Sequence, residues 1–131
     1  MNIYNRYTTQ DFQYAHQVMT ADWDFTDYDD FMTKHGPKTK TRDYALFAMM
    51  AIYYEGSGVI VEQDLIELNL VDTLLHNNIQ RFWLKMEPVI LEYRKRRGTP
   101  YGAVMDYPLF DSLERLYQST QQIGQQITIN A

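Results

Sequence analysis

The stretch Tyr44-Ala-Leu-Phe-Ala-Met-Met-Ala-Ile-Tyr-Tyr54 constrains this chain more than anything else in it. Read as a helix, positions 44, 47, 48, 51 and 52 form one apolar stripe, and 45, 46, 49, 50 and 53 are apolar as well. A helix apolar all round is normally enclosed by other elements. The sequence therefore predicts a central rod, about 41–55, shielded from water on every side. A short apolar run also suits a strand, but its length, alanines and methionines favour helix. Glu55 and the pair Gly56 and Gly58 are read as the end of the rod, with Gly56-Ser57-Gly58 a turn requiring positive φ. The run of eleven residues is shorter than the roughly 20 of a bilayer-spanning helix. Met1–Tyr7 lacks the apolar core of a signal peptide. The expectation is a soluble, cytoplasmic protein.

The remaining text supplies helices to enclose the rod. Phe12, Ala15, Met19 and Trp23 recur at helical spacing after Thr8, an N-cap residue, and predict a first helix over about 9–22. Asp27-Tyr-Asp-Asp30 caps a short second helix that Gly36-Pro37 ends, with the glycine taken as a left-handed C-cap. Beyond the rod, Glu62–Glu67 and 69–76 read as two short helices. Asn77-Asn78 caps the longest one, about 78–97, striped by Ile79, Phe82, Trp83, Met86, Ile90 and Tyr93 and kinked at Pro88. Arg94-Lys-Arg-Arg97 before Gly98 is a helix ending. Pro108 opens a last helix facing inward through Leu109, Leu113, Leu116 and Tyr117. The fold expected is all-α, one compact bundle-like domain of five to seven helices over 1–120, with 121–131 a loosely ordered tail.

The order Tyr53-Tyr-Glu-Gly-Ser-Gly-Val59, Asp64-Leu-Ile66, Arg81-Phe-Trp83, Glu87-Pro88 and Glu92-Tyr-Arg94 resembles a domain-of-unknown-function family of small helical bacterial proteins. The likeness spans about 45–117. It implies an all-helical fold and assigns no activity and no site residue.

Each candidate chemistry competes with a plainer explanation. Asp22, Asp24, Asp27, Asp29 and Asp30 alternate like calcium ligands, but a loop starting at Asp22 needs Gly at 27 and Glu at 33, where the chain has Asp27 and Thr33. Capping and a solvated acidic loop explain the cluster. His16, His35 and His76 lie at no ligand spacing, and cysteine is absent. Ser57 lacks the first glycine of a nucleophile elbow, and Gly56-Ser-Gly58 extends to no phosphate loop. No catalytic, cofactor or metal residue is assigned, and the chain is read as a non-enzyme. Glu55, following a wholly apolar segment, is expected to be partly buried and to pair with Arg81 or Arg94, pinning two helices together.

The leading functional expectation is a protein–protein interaction or regulatory/accessory module. Its motive is the eleven tyrosines and seven methionines, residue types enriched at interface centres. A homodimer through a face of the long helix is its simplest form. The second reading is nucleic-acid association through Arg94, Lys95, Arg96, Arg97 and Tyr101, with Lys38–Arg42 as a further cationic stretch. A formal net charge of -5 opposes it. The third is an enzyme or small-molecule binder assembled from His76, Arg81, Tyr54 and Glu55.

Overall fold

The structure, a computed structural model, describes residues 10–97 and 110–130. Its helices are α1 (Gln10–Gln17), continued by a π-helical turn (Val18–Asp22), α2 (Tyr28–His35), α3 (Thr41–Glu62), α4 (Leu68–Arg97) and α5 (Asp111–Asn130). No strand occurs among the described residues, and the all-α expectation holds. Thr8 and the predicted loop and helix start at 98–109 lie outside the described residues.

Helix α3 is 22 residues long and runs straight through the glycines that the sequence reading took for its end. Neither Gly56 nor Gly58 has positive φ. The termination lies further on, at Asp64, whose φ of 57° is a left-handed conformation. Aspartate tolerates that region better than most residues. The Leu65 amide donates to the Ile60 carbonyl at 2.9 Å and the Asp64 amide to the Val61 carbonyl at 3.0 Å. These are the paired bonds of a Schellman closure. Gly58 serves packing instead. A Cβ there would lie 2.5 Å from the Ser112 carbonyl oxygen, so its absence lets the α5 backbone approach. Ser57 is buried, and its hydroxyl donates to the Tyr53 carbonyl at 2.9 Å within the helix.

Phe47, Met50, Ala51, Tyr54, Ser57 and Gly58 face the core. The opposite flank is open: Ala45 is exposed, Ile52 is 65 % exposed and Val59 40 %. Water therefore reaches one side of the rod, contrary to its expected enclosure, because the surrounding helices converge on a single face. At its full length α3 is long and apolar enough to cross a membrane by composition, so the argument from eleven residues does not hold. Its inner face is nonetheless part of the core, as in the central helix of a soluble domain.

The stretch read as separate helices at 69–76 and 78–97 is the single 30-residue helix α4, and 63–67 is a turn. Asn77 and Asn78 do not start a helix. Val71, Leu75, Ile79, Phe82, Met86, Val89 and Ile90 keep one buried register through them. Core packing thus overrides the capping signal. Pro88 is exposed within this helix, which continues to Arg97.

Asp27 caps α2 as expected, accepting from the Asp30 amide at 2.8 Å, while the Asp30 carboxylate accepts from the Thr26 amide at 3.0 Å. Both bonds satisfy donors at or just before the helix start. Gly36 ends α2 in an extended conformation, not a left-handed one. A Cβ there would collide with the Met32 carbonyl oxygen, which is the steric reason for glycine. Helix α5 continues through the expected tail to Asn130. Leu113, Leu116, Tyr117 and Thr120 are buried, and at Gly124 an added Cβ would lie 3.6 Å from the His76 ring.

The core joins all five helices, largely through a chain of rings. Phe12 meets Tyr53 edge-on at 4.9 Å, Tyr54 meets Phe82 at 5.2 Å, and Phe31 meets Phe47 at 5.3 Å. Among α2, α3, α4 and Phe110 this packing leaves a cavity of about 170 Å³.

Candidate functional site

The outward side of α4 carries a regular exposed ridge. In a 3.6-residue helix, positions seven apart drift by only about 20°, so Leu70, Asn77, Leu84 and Leu91 form one ridge. All four are exposed, the leucines at 52 %, 62 % and 43 % in chain order. Thr73, Arg81, Pro88 and Lys95 occupy the same ridge and are exposed too. Glu67, also exposed, precedes the helix at the ridge's N-terminal end. The sequence reading missed this ridge, although the seven-residue leucine spacing is legible. Dividing the helix at Asn77-Asn78 cut the pattern in two.

Two of the four cations in the basic run at the end of α4 are committed within the fold. Arg94 Nη1 donates to Glu114 Oε1 at 2.7 Å, tying α4 to α5. Arg96 grips Asp29 with two nitrogens, at 2.7 and 2.8 Å, and Glu92 at 3.0 Å. Its guanidinium also lies 4.6 Å from the Tyr28 ring centre. These bonds hold the Asp29 carboxyl below, and the Arg96 guanidinium above, their ordinary ranges. Lys95 is exposed. Tyr101 and the Arg97 side chain lie outside the description. Lys38, Lys40 and Arg42 are exposed around the start of α3.

Glu55 does pin two helices, but through a backbone amide. Its Oε1 accepts from the Leu113 N–H at 2.7 Å. The first turn of a helix such as α5 offers donors without intrahelical partners. Burial pushes the Glu55 carboxyl pKa up, against the lowering effect of that hydrogen bond. Glu62 raises it further, while the Arg115 and Arg94 charges lower it. Arg81, the other expected partner, is elsewhere and donates to Gln17 and Thr20, each at 3.2 Å. The groove beside Glu55 holds Glu62, Asp111 and Arg115, and Arg115 bonds both of these other carboxylates.

The four residues proposed for an assembled site are engaged separately. His76 Nδ1 bonds Asp72 at 2.6 Å, and Tyr54 sits in the core beside His16, with ring centres 5.9 Å apart. His16 is 2 % exposed, and its Nε2 has no hydrogen-bond partner among the described residues. Burial lowers its pKa to about 4, against a raising bond to the Asn78 backbone, and the Arg81 charge lowers it further. His35 bonds Asp43 at 2.9 Å and stacks on Trp23 at 4.2 Å. Among the described residues no cluster of three or more His, Asp and Glu is placed to hold a metal ion. Of the acidic run, Asp27 and Asp30 cap α2 and Asp29 takes Arg96.

A family model described as Domain of unknown function (DUF4760) matches residues 1–119. The chain belongs to this family. The DUF4760 match takes in residues 1–44, which the resemblance over 45–117 had left out. No curated protein and no solved structure is significantly similar to this DUF4760 chain.

Proposed function

We propose that this domain is a non-enzymatic interaction module, regulatory or accessory in role, that pairs with a second copy of itself through the outer ridge of α4. The observation carrying the reading is the exposed Leu70–Leu84–Leu91 series, in register at multiples of seven residues. Such spacing aligns apolar side chains along one seam for a facing helix.

Charge selects an antiparallel arrangement. With Leu70 opposite Leu91 of the second copy, Asn77 meets Leu84 and Glu67 comes beside Lys95 at both ends. A parallel pair would set Lys95 against Lys95 and Glu67 against Glu67, whereas Arg81, at the midpoint, adjoins its own copy in either arrangement. A reducing bacterial cytoplasm suits a chain without cysteine.

Sedimentation equilibrium of the full chain tests the reading. A dimer is expected, and Leu84→Glu with Leu91→Glu should give a monomer with an unchanged helical circular dichroism spectrum. A wild-type monomer throughout the micromolar range would overturn it, as would a dimer untouched by both substitutions.

A further inference from the structure

The cavity among α2, α3, α4 and Phe110 is built from six aromatic side chains: Tyr28, Phe31, Tyr44, Phe47, Tyr93 and Phe110. Among the described residues no charged side chain lines it. Phe31 and Phe47, both buried, form its floor, while Tyr28, Tyr44, Tyr93 and Phe110 are half-buried. We propose that this cavity is a binding site for a small uncharged aromatic molecule, of one ring or two fused rings.

Size supports the assignment first. The space measures about 170 Å³. An apolar cavity of about 150 Å³ is known to stay dry and admit benzene. The walls here are mainly apolar, and a flat ring that displaces water from them gains burial and dispersion contact. Wall geometry supports it next. Phe31 and Phe47 meet at 68° with centres 5.3 Å apart, and Tyr44 and Phe47 lie 5.8 Å apart. The wall rings are thus tilted steeply to one another, so a flat guest can meet them both edge-on and face-on, the two approaches that aromatic pairs prefer.

The backbone gives an independent sign. Phe110 is held at φ 59°, immediately ahead of α5. That conformation is costly for a bulky side chain. The Phe110 ring lines the cavity.

Charge decides the class. An aromatic cage also suits quaternary ammonium, but here the Arg96 guanidinium already lies over the Tyr28 ring. That cation already takes one face of the Tyr28 ring, which leaves a cationic guest fewer ring faces to bind. The site is separate from the α4 ridge and does not depend on pairing of two copies.

Indole, benzene and tetramethylammonium are the probes, used on the full chain by thermal shift and by NMR. Indole or benzene should raise the melting temperature of the wild type, with nuclear Overhauser contacts to the Phe47 and Tyr93 rings. Ala48→Met, which fills the cavity from α3, should abolish the shift. The NMR contacts on unmodified protein decide the matter if that variant fails to fold. Contacts confined to other residues, no binding up to the solubility limit of either ring compound, or binding of tetramethylammonium in their place would each overturn the proposal.

Discussion

The two ends of α3 are packed by opposite means. Near Gly58, with no side chain on the helix, the α5 backbone comes within contact distance and Glu55 caps its first turn. Near Tyr44 and Phe47, bulky rings hold the neighbouring helices apart and leave a cavity. One apolar segment thus makes a close-packed joint and an open one. The difference rests on side-chain volume. A small residue brings backbones together, whereas aromatic residues bridge a gap without filling it completely.

Acid should have the largest effect on the joined half. His16 packs against Tyr54 and Phe82 and is held neutral, with a pKa of about 4 against 6.5 when exposed. Its folded pKa is depressed, so the stability it contributes is present above pH 6.5 and is lost as pH falls toward 4. The loss is about 3 kcal/mol. Urea unfolding at stepped pH should show this slope in the wild type and lose it in His16→Gln. An equal slope in both would separate His16 from acid sensitivity.

Next in size is Gly58→Ala. The new Cβ would overlap a backbone carbonyl that cannot rotate away. A cost of about 1–3 kcal/mol is expected. Gly56→Ala is the matched control. Among the described residues nothing lies within 4 Å of that site. The gain in helix propensity, about 0.5–1 kcal/mol, should therefore appear as stabilisation. Opposite signs two residues apart would assign the close joint to the single face that Gly58 turns to α5. Equal signs would break that assignment.

The smallest effect concerns Glu55. Glu55→Ala removes the acceptor of the Leu113 amide, and the cost should be about 1 kcal/mol. Glu55→Gln keeps an acceptor while removing a half-buried charge, and its stability at neutral pH should stay within about 0.5 kcal/mol of wild type. The folded pKa of Glu55 is raised, so its protonated form contributes stability below the unfolded value that is lost as pH rises through the folded one. Denaturant midpoints at pH 7 and pH 4 measure both statements. A large loss in Glu55→Gln would restore a charge-pair role.

The class of fold was legible because apolar periodicity persists wherever helices bury a face. Boundaries were less so. Gly56, Gly58, Asn77 and Asn78 are strong local stop or start signals, yet each lies inside a helix that continues past it. A glycine that ends a helix and a glycine that admits a neighbouring backbone look alike until the neighbour is known. The end that α3 does have, at Asp64, carries a weaker local signal. The leucine ridge was readable from spacing once α4 is one helix. The aromatic cavity was not, since its walls come from four separate segments and no short-range pattern links Tyr28 to Phe110.

A π-helical turn accommodates one more residue than the α-turn it replaces, so Val18–Asp22 holds a spare residue within the first helical segment. Deleting that residue would leave an ordinary α-helix but rotate everything before it by about 100°. Phe12 and His16 would swing off the surface where Tyr53, Tyr54 and Phe82 receive them, or Trp23 would leave His35. The widened turn works as a phase corrector, bringing two apolar stretches that a regular helix would point in different directions onto the same interior.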